Sequence, residues 1–232
     1  MKLYFSPLSC SLATRIALYE AGADAELVEV DPKTKTTLDG SDYRAVHSLG
    51  LVPALRMDDG ELLTENAAIL QYVAERFPDA ELAPRDSLGR SRLRQWLSFI
   101  GTELHKAIYV PLLDKNAPEA VKAYALANAE SRLSWLAGRL EGRDFLLERF
   151  SVADAYLIAV LNWSAVTPVK LDPWPAITAY AKRVRARPPV ARAISEERAL
   201  YLQELTRHGT LDAATARVLR GDGVERAHVE PR

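Results

Sequence analysis

The apolar residues of this chain keep one rhythm after residue 84 and several before it, and that change constrains the fold more than any single motif. Up to Phe77 the pattern switches between the alternation of strands and the three-and-four spacing of helices; beyond Pro84 the helical spacing prevails. Strands mixed with helices bury their apolar faces against a sheet, whereas helices alone bury theirs against each other, so two units of different class are expected. Pro78 and Pro84 mark the boundary. The expected organisation is an α/β unit over residues 1–78, a linker over 79–86, an all-helical unit over 87–205 and an extension over 206–232. The extension holds Gly, Asp and Arg but few core formers, and is expected to be a frayed helix end and a mobile tail.

Within the first unit, Lys2 to Phe5 reads as a short strand closed by Ser6-Pro7, after which Leu12, Ile16 and Tyr19 recur at helical spacing until Gly22. Glu26 to Val30 alternates as a second strand, and Asp39 to Val46 reads as a weaker helix. Leu51 to Met57 and Glu61 to Leu63 form a hairpin about Asp58-Asp59-Gly60. A further helix opens at Thr64-Glu65-Asn66, runs through Ile69, Leu70 and Val73, and stops at Pro78. The order βαβαββα is that of a thioredoxin-like domain, in which a thiol loop lies between the first strand and the first helix. The second unit reads as an all-α helical bundle of at least four helices. A long amphipathic one runs from Ser87 to about Pro111, and Ala117 to Glu141, Phe145 to Trp163 and Pro173 to Arg187 follow it.

With 30 basic against 31 acidic residues, the chain has no broad positive field to hold nucleic acid or anionic lipid. It also has no run near the ~20 apolar residues that a membrane-crossing helix needs. Pro7, Ser9, Ser11 and Arg15 interrupt the N-terminal apolar residues before a secretory core forms, and Cys10 is the only cysteine. A cytoplasmic protein with no disulfide and no thiolate metal cluster is expected.

Cys10 falls where the first strand has ended and the first helix begins, so the helix dipole and backbone N–H groups would favour its thiolate; the alternative is a small buried hydrophobe. Ala13 occupies the second position of a CxxC pair, which excludes an intramolecular dithiol cycle. Val52-Pro53 opens the third strand, and a cis bond there would turn the Val52 backbone toward an extended peptide; a trans bond would make it an ordinary strand start. Glu65 and Asn66 stand at a helix N-terminus, suited either to an amino-acid head group or to capping alone. Lys35 could reach a carboxylate or be merely solvated. Ser98, Thr102, His105 and Tyr109 fall at i, i+4, i+7 and i+11, one polar stripe along the long helix, with Lys106 beside His105. A histidine there could donate to a thiolate or simply face solvent. Ser151 and Asp154 have the spacing of a capping box and read as structural.

Over residues 1–203 the chain resembles the bacterial beta-class glutathione transferases. The resemblance rests on an ordered set: Lys2-Leu3-Tyr4, Ser9-Cys10-Ser11-Leu12-Ala13, Val52-Pro53-Ala54-Leu55, Leu63-Thr64-Glu65, Thr102-Glu103-Leu104-His105-Lys106 and Ala153-Asp154-Ala155-Tyr156-Leu157. It departs at Asn66, where the family usually has Gly or Ser, and at His47-Ser48, where it usually has Asn-Pro. The resemblance implies that glutathione binds the first unit as cosubstrate and a small hydrophobic electrophile binds the second. It also implies a homodimer and no metal.

On that resemblance Cys10 contacts the glutathione sulfur, Val52, ahead of Pro53, pairs with its cysteinyl backbone, and Glu65 with Asn66 holds the γ-glutamyl end. Lys35 would bind the glycyl carboxylate, and His105 with Ser98, Thr102 and Lys106 would line the sulfur side. Glu103 would reach toward the partner subunit's ligand. The implied activity is conjugation of the glutathione thiolate to electrophiles, a detoxification reaction with Cys10 and His105 at the reacting centre. Thiol exchange, reduction or dehalogenation through a nucleophilic Cys10 is an alternative, and so is a noncatalytic ligand-binding protein of the same fold.

Overall fold

The computed structural model describes residues 1–211; the expected mobile extension falls mainly outside the described residues. Four strands form one mixed sheet in the order β2-β1-β3-β4, with β1 (Lys2–Phe5), β2 (Glu26–Glu29), β3 (Ala54–Arg56) and β4 (Leu62–Thr64). β1 runs parallel to β2 and antiparallel to β3, and β3 runs antiparallel to β4. The parallel pair needs a crossover, supplied by α1 (Leu12–Glu20), and α2 (Asn66–Arg76) follows β4. One sheet face carries Tyr4, Val30, Tyr43 and Ala54. Leu3, Phe5 and Leu55 on the other face join the main core with Leu12, Ile16, Ile69 and Leu70. The thioredoxin-like order is present except at its second helix.

That second helix, expected over Asp39 to Val46, is only a 3₁₀ turn over Tyr43–Ala45. The polar side chains of the segment claim the backbone first: Asp39 accepts from Thr37 Oγ1 and from the Ser41 N–H, and Asp42 accepts from the Arg44 N–H. Such local bonds offer the chain an alternative to a helix ladder.

The second unit is helical throughout: α3 (Ser87–Phe99), a π-helical segment (Ile100–Tyr109), α4 (Val110–Leu113), α5 (Glu119–Leu140), α6 (Val152–Leu161), α7 (Pro175–Arg185) and α8 (Pro188–Arg207). Asp86 caps α3 by accepting the Gly89 N–H at 2.8 Å. The long helix does not stop at Pro111; the ring sits in the first turn of α4, where no N–H is needed. The helix expected from Phe145 begins only at Val152, because Asp154 reaches back to the Leu146 N–H at 2.9 Å and folds the preceding residues into a loop.

All ten residues of α6 are buried, which explains an apolar run without helical periodicity. It packs against α1, as does α8, so the core of the two units is continuous. Among the described residues no helix is long and apolar enough to cross a membrane.

Candidate functional site

β1 ends at Phe5, and the loop from Ser6 to Ser11 carries Cys10 to the position just before the N-cap of α1, where the Ala13 N–H donates to the Cys10 carbonyl. The Val52-Pro53 bond is cis, and the Cys10 thiol donates to the Val52 carbonyl at 3.3 Å. The Val52 N–H donates to no group among the described residues. Asn66 ties the same place from below: its Nδ2 donates to the Cys10 carbonyl at 3.1 Å and its Oδ1 accepts from Thr14 Oγ1 at 3.0 Å. Both polar atoms of the Asn66 side chain are thus engaged inside the protein, and its backbone N–H is left for a ligand. Glu65, ahead of α2, has φ +67°, a conformation rare for a residue with a Cβ and concentrated at functional sites.

Of the two readings of Cys10, its half-buried surroundings favour the protonated thiol over the thiolate. Burial pushes the thiol up to about 12, against the lowering influence of Lys106 and a backbone N–H, and the charges of Glu65 and Glu197 add to the rise. At neutral pH Cys10 is a proton donor. Those same influences put Lys106 and Glu65 within electrostatic reach of the sulfur.

His105 is buried rather than solvent-facing, its Nδ1 2.8 Å from the Tyr156 hydroxyl and its ring 4.9 Å from that of Trp163. Burial, with the Lys106 charge, pushes it down to about 4, so it is neutral near pH 7. Tyr109 packs edge-on against Trp163 and extends this aromatic wall.

The expected polar stripe is split. Ser98 and Thr102 are exposed, whereas His105 and Tyr109 are buried. The cause is the π-helical segment: the Val110 N–H bonds to the His105 carbonyl five residues back, and each wider turn rotates the later residues off the face set by the earlier ones. Thr102 donates to its own helix at the Ser98 carbonyl, and Glu103 pairs with Arg132 at 3.1 Å. None of Ser98, Thr102 and Glu103 is bonded to Cys10, Val52, Glu65 or Asn66.

Lys35 sits at φ +60° in the connection after β2, and its side chain lies along Gly50, where a Cβ would come within 3.2 Å of Lys35 Cδ. Gly50 precedes Val52 by two residues, which brings the Lys35 side chain alongside the cis-proline loop.

Two residues that sequence reasoning left out hold the thiol loop. Leu8, at φ +56°, donates its N–H to Glu197 Oε2 at 2.7 Å and accepts from Trp163 Nε1 at 2.9 Å. Glu197 is fully buried, and burial pushes it up to about 8 despite the Leu8 N–H and Arg15. A cavity of about 810 Å³ lies elsewhere, lined by Arg92, Trp96, Trp135, Arg139 and Arg149, and contains none of the expected site residues.

Residues 1–75 match the family model "Glutathione S-transferase, N-terminal domain" and residues 99–188 match "Glutathione S-transferase, C-terminal domain". The glutathione S-transferase GstA of Escherichia coli O157:H7 is 42% identical over 199 residues, covering 85% of this chain and 98% of the relative. The chain belongs to the glutathione S-transferase family.

Among solved structures, a sphingomonad glutathione S-transferase complexed with glutathione superposes with a TM-score of 0.81 at 45% identity, over 85% of this chain and 98% of that one. A beta-class glutathione S-transferase of Sphingomonas chungbukensis gives 0.81 at 43% identity over the same shares. In this transferase the elements that converge on the thiol loop are the N-terminus of α1, the cis-proline loop, the start of α2, the π-helical segment, α6 and α8.

Proposed function

We propose that the chain conjugates the thiolate of glutathione to small hydrophobic electrophiles. The observation that carries this reading is the cis Val52-Pro53 loop, whose Val52 N–H has no partner among the described residues and which stands beside the Cys10 thiol. Residues 1–78 serve as the glutathione domain and residues 87–205 as the electrophile domain, joined by residues 79–86. Glutathione lies extended, its cysteinyl backbone on Val52, its γ-glutamyl ammonium on Glu65 with its carboxylate on the Asn66 N–H, and its glycyl carboxylate on Lys35.

The glutathione sulfur then rests beside Cys10, where the thiol, the α1 N-terminus and Lys106 favour its anion. The thiolate's electron pair forms the new S–C bond, and the leaving group departs with the pair of the bond that breaks. Trp163, backed by the buried Tyr109, and neutral His105 form the apolar side toward which the electrophile docks, and much of the rate gain comes from positioning. A protonated Cys10 is a poor nucleophile, which favours conjugation over thiol exchange as the main reaction. A cytoplasmic homodimer that removes reactive electrophiles fits this chemistry.

The deciding experiment is a transfer assay with aryl halides and epoxides on wild type and Cys10→Ala. Conjugation above buffer, retained in large part by the variant, is expected; a wild type without activity on either class refutes the reading.

A further inference from the structure

Lys35 is presented by a tight turn whose organiser is Asp31. The Asp31 Oδ1 accepts the Lys33 N–H at 2.8 Å and the Thr34 N–H at 3.1 Å, and its carbonyl accepts the Lys35 N–H at 3.0 Å. Its own N–H donates to the Thr36 carbonyl at 2.9 Å, which closes the turn around Lys35 at φ +60°. The second oxygen, Oδ2, lies 2.7 Å from His208 Nε2, an ion-pair approach in which the ring nitrogen makes no linear hydrogen bond. One residue earlier, Arg207 pairs with Glu29, the buried last residue of β2, which leads directly into this turn. Arg207 ends α8 and His208 caps it. Both lie beyond residues 1–203, the span over which the sequence resembles the family, and beyond the matched C-terminal domain at 99–188.

Left alone, such a turn would be expected to move. It is a surface connection between β2 and the 3₁₀ turn, Pro32 to Thr34 are exposed, and a non-glycine residue at positive φ is strained unless its surroundings hold it there. Asp31 supplies the local bonds, and the end of α8 supplies the outer support for Asp31 and for the strand end before it.

We propose that Arg207 and His208 are positioning residues for the carboxylate-binding end of the glutathione site, holding Glu29 and Asp31 so that the turn presents Lys35 in one place. This rests on the reading of Lys35 as the partner of the glycyl carboxylate. The helix whose Glu197 fixes the thiol loop beside the sulfur thereby fixes the glycyl end of the tripeptide site as well, so a single element of the C-terminal unit sets the distance between the sulfur and that carboxylate.

The test compares two thiol substrates, glutathione and γ-glutamylcysteine, which lacks the glycyl carboxylate, in the full chain carrying Arg207→Ala with His208→Ala. The KM for glutathione should rise about five- to tenfold with kcat and the electrophile KM within about twofold. The KM for γ-glutamylcysteine should not move, and Arg207→Lys should remain near wild type. A merely structural role would change both thiols alike; equal shifts, or a glutathione KM unchanged in the folded double variant, overturn the inference. If the double substitution fails to fold, His208→Gln alone carries the same comparison with a smaller rise.

Lys35→Ala separates the two layers. A raised glutathione KM in that variant beside an unchanged one in the double variant removes only the role of Arg207 and His208. A normal KM in Lys35→Ala removes the Lys35 reading, and the inference with it.

Discussion

Cys10 and His105 both owe their protonation state to burial, in opposite directions. Desolvation penalises whichever form is charged, so it keeps the thiol as S–H and the imidazole neutral. In the free protein the ultraviolet absorbance of a Cys10 thiolate should stay absent until above about pH 11, and alkylation at neutral pH should be slow. Thiolate absorbance growing in near pH 7 would refute this. His105, pushed down to about 4, should show ring chemical shifts in NMR that stay flat between about pH 5.5 and 8. A midpoint near 6.5 would contradict its burial beside Tyr156 and Trp163.

The sequence made Cys10, Val52 and Glu65 legible because each sits at the end of a strand or the start of a helix, where backbone groups are left over. It did not make their electrostatics legible. Burial depends on α6 and on the π-helical segment, neither of which lies near Cys10 in the chain. Glu197 left no signal at all: it is one acid among several on α8, and its partner is the backbone N–H of Leu8, a group every residue but proline possesses.

At the level of elements, the best-read features were those written in local chemistry, and the errors came where side chains overrode a period. The capping box of α6 was legible from Ser151 and Asp154, yet Asp154 does more than cap. Fully buried, it accepts from the Leu146 N–H, the Ser151 N–H and hydroxyl, and Tyr180 Oη. Removing it strands several buried donors, each costing about 1–3 kcal/mol, whereas losing a cap alone costs about 1 kcal/mol. Asp154→Ala should therefore lose upwards of about 3 kcal/mol in denaturant unfolding, and Ser151→Ala about 1 kcal/mol. Equal losses would mean that capping is all Asp154 does.

The stripe of Ser98, Thr102, His105 and Tyr109 failed for a different reason. It assumed a constant turn, and the segment from Ile100 to Tyr109 winds with i→i+5 bonds that no residue type announces. The same winding leaves Lys106 exposed within electrostatic reach of Cys10 while His105 turns into the core.

Across the whole molecule, α8 joins the two units together with α6, and its contacts lie farthest beyond sequence reasoning. Glu197 to Leu8, Arg207 to Glu29 and His208 to Asp31 each span more than 170 residues of chain, so no period or motif could place them. The buried acids of this seam also give the fold a pH dependence of defined sign. Burial raises Glu197 to about 8 and Glu204 to about 7 from an ordinary 4.5.

A carboxyl group raised in this way stabilises the fold in its protonated form; that contribution is whole below about pH 4.5 and is lost as the pH climbs through 7 to 8. His105 acts on the other side: lowered to about 4 from 6.5, it costs stability only as the pH falls below about 6.5. Glu197→Gln keeps an oxygen to accept the Leu8 N–H and removes the ionisation. Its melting temperature relative to wild type should therefore rise between about pH 5 and 9, by roughly 2–4 °C for each kcal/mol of the ionisation penalty removed. If wild type and variant melt in parallel across that range, the Glu197 carboxyl is charged throughout. Its pairing with Arg15 would then outweigh its burial.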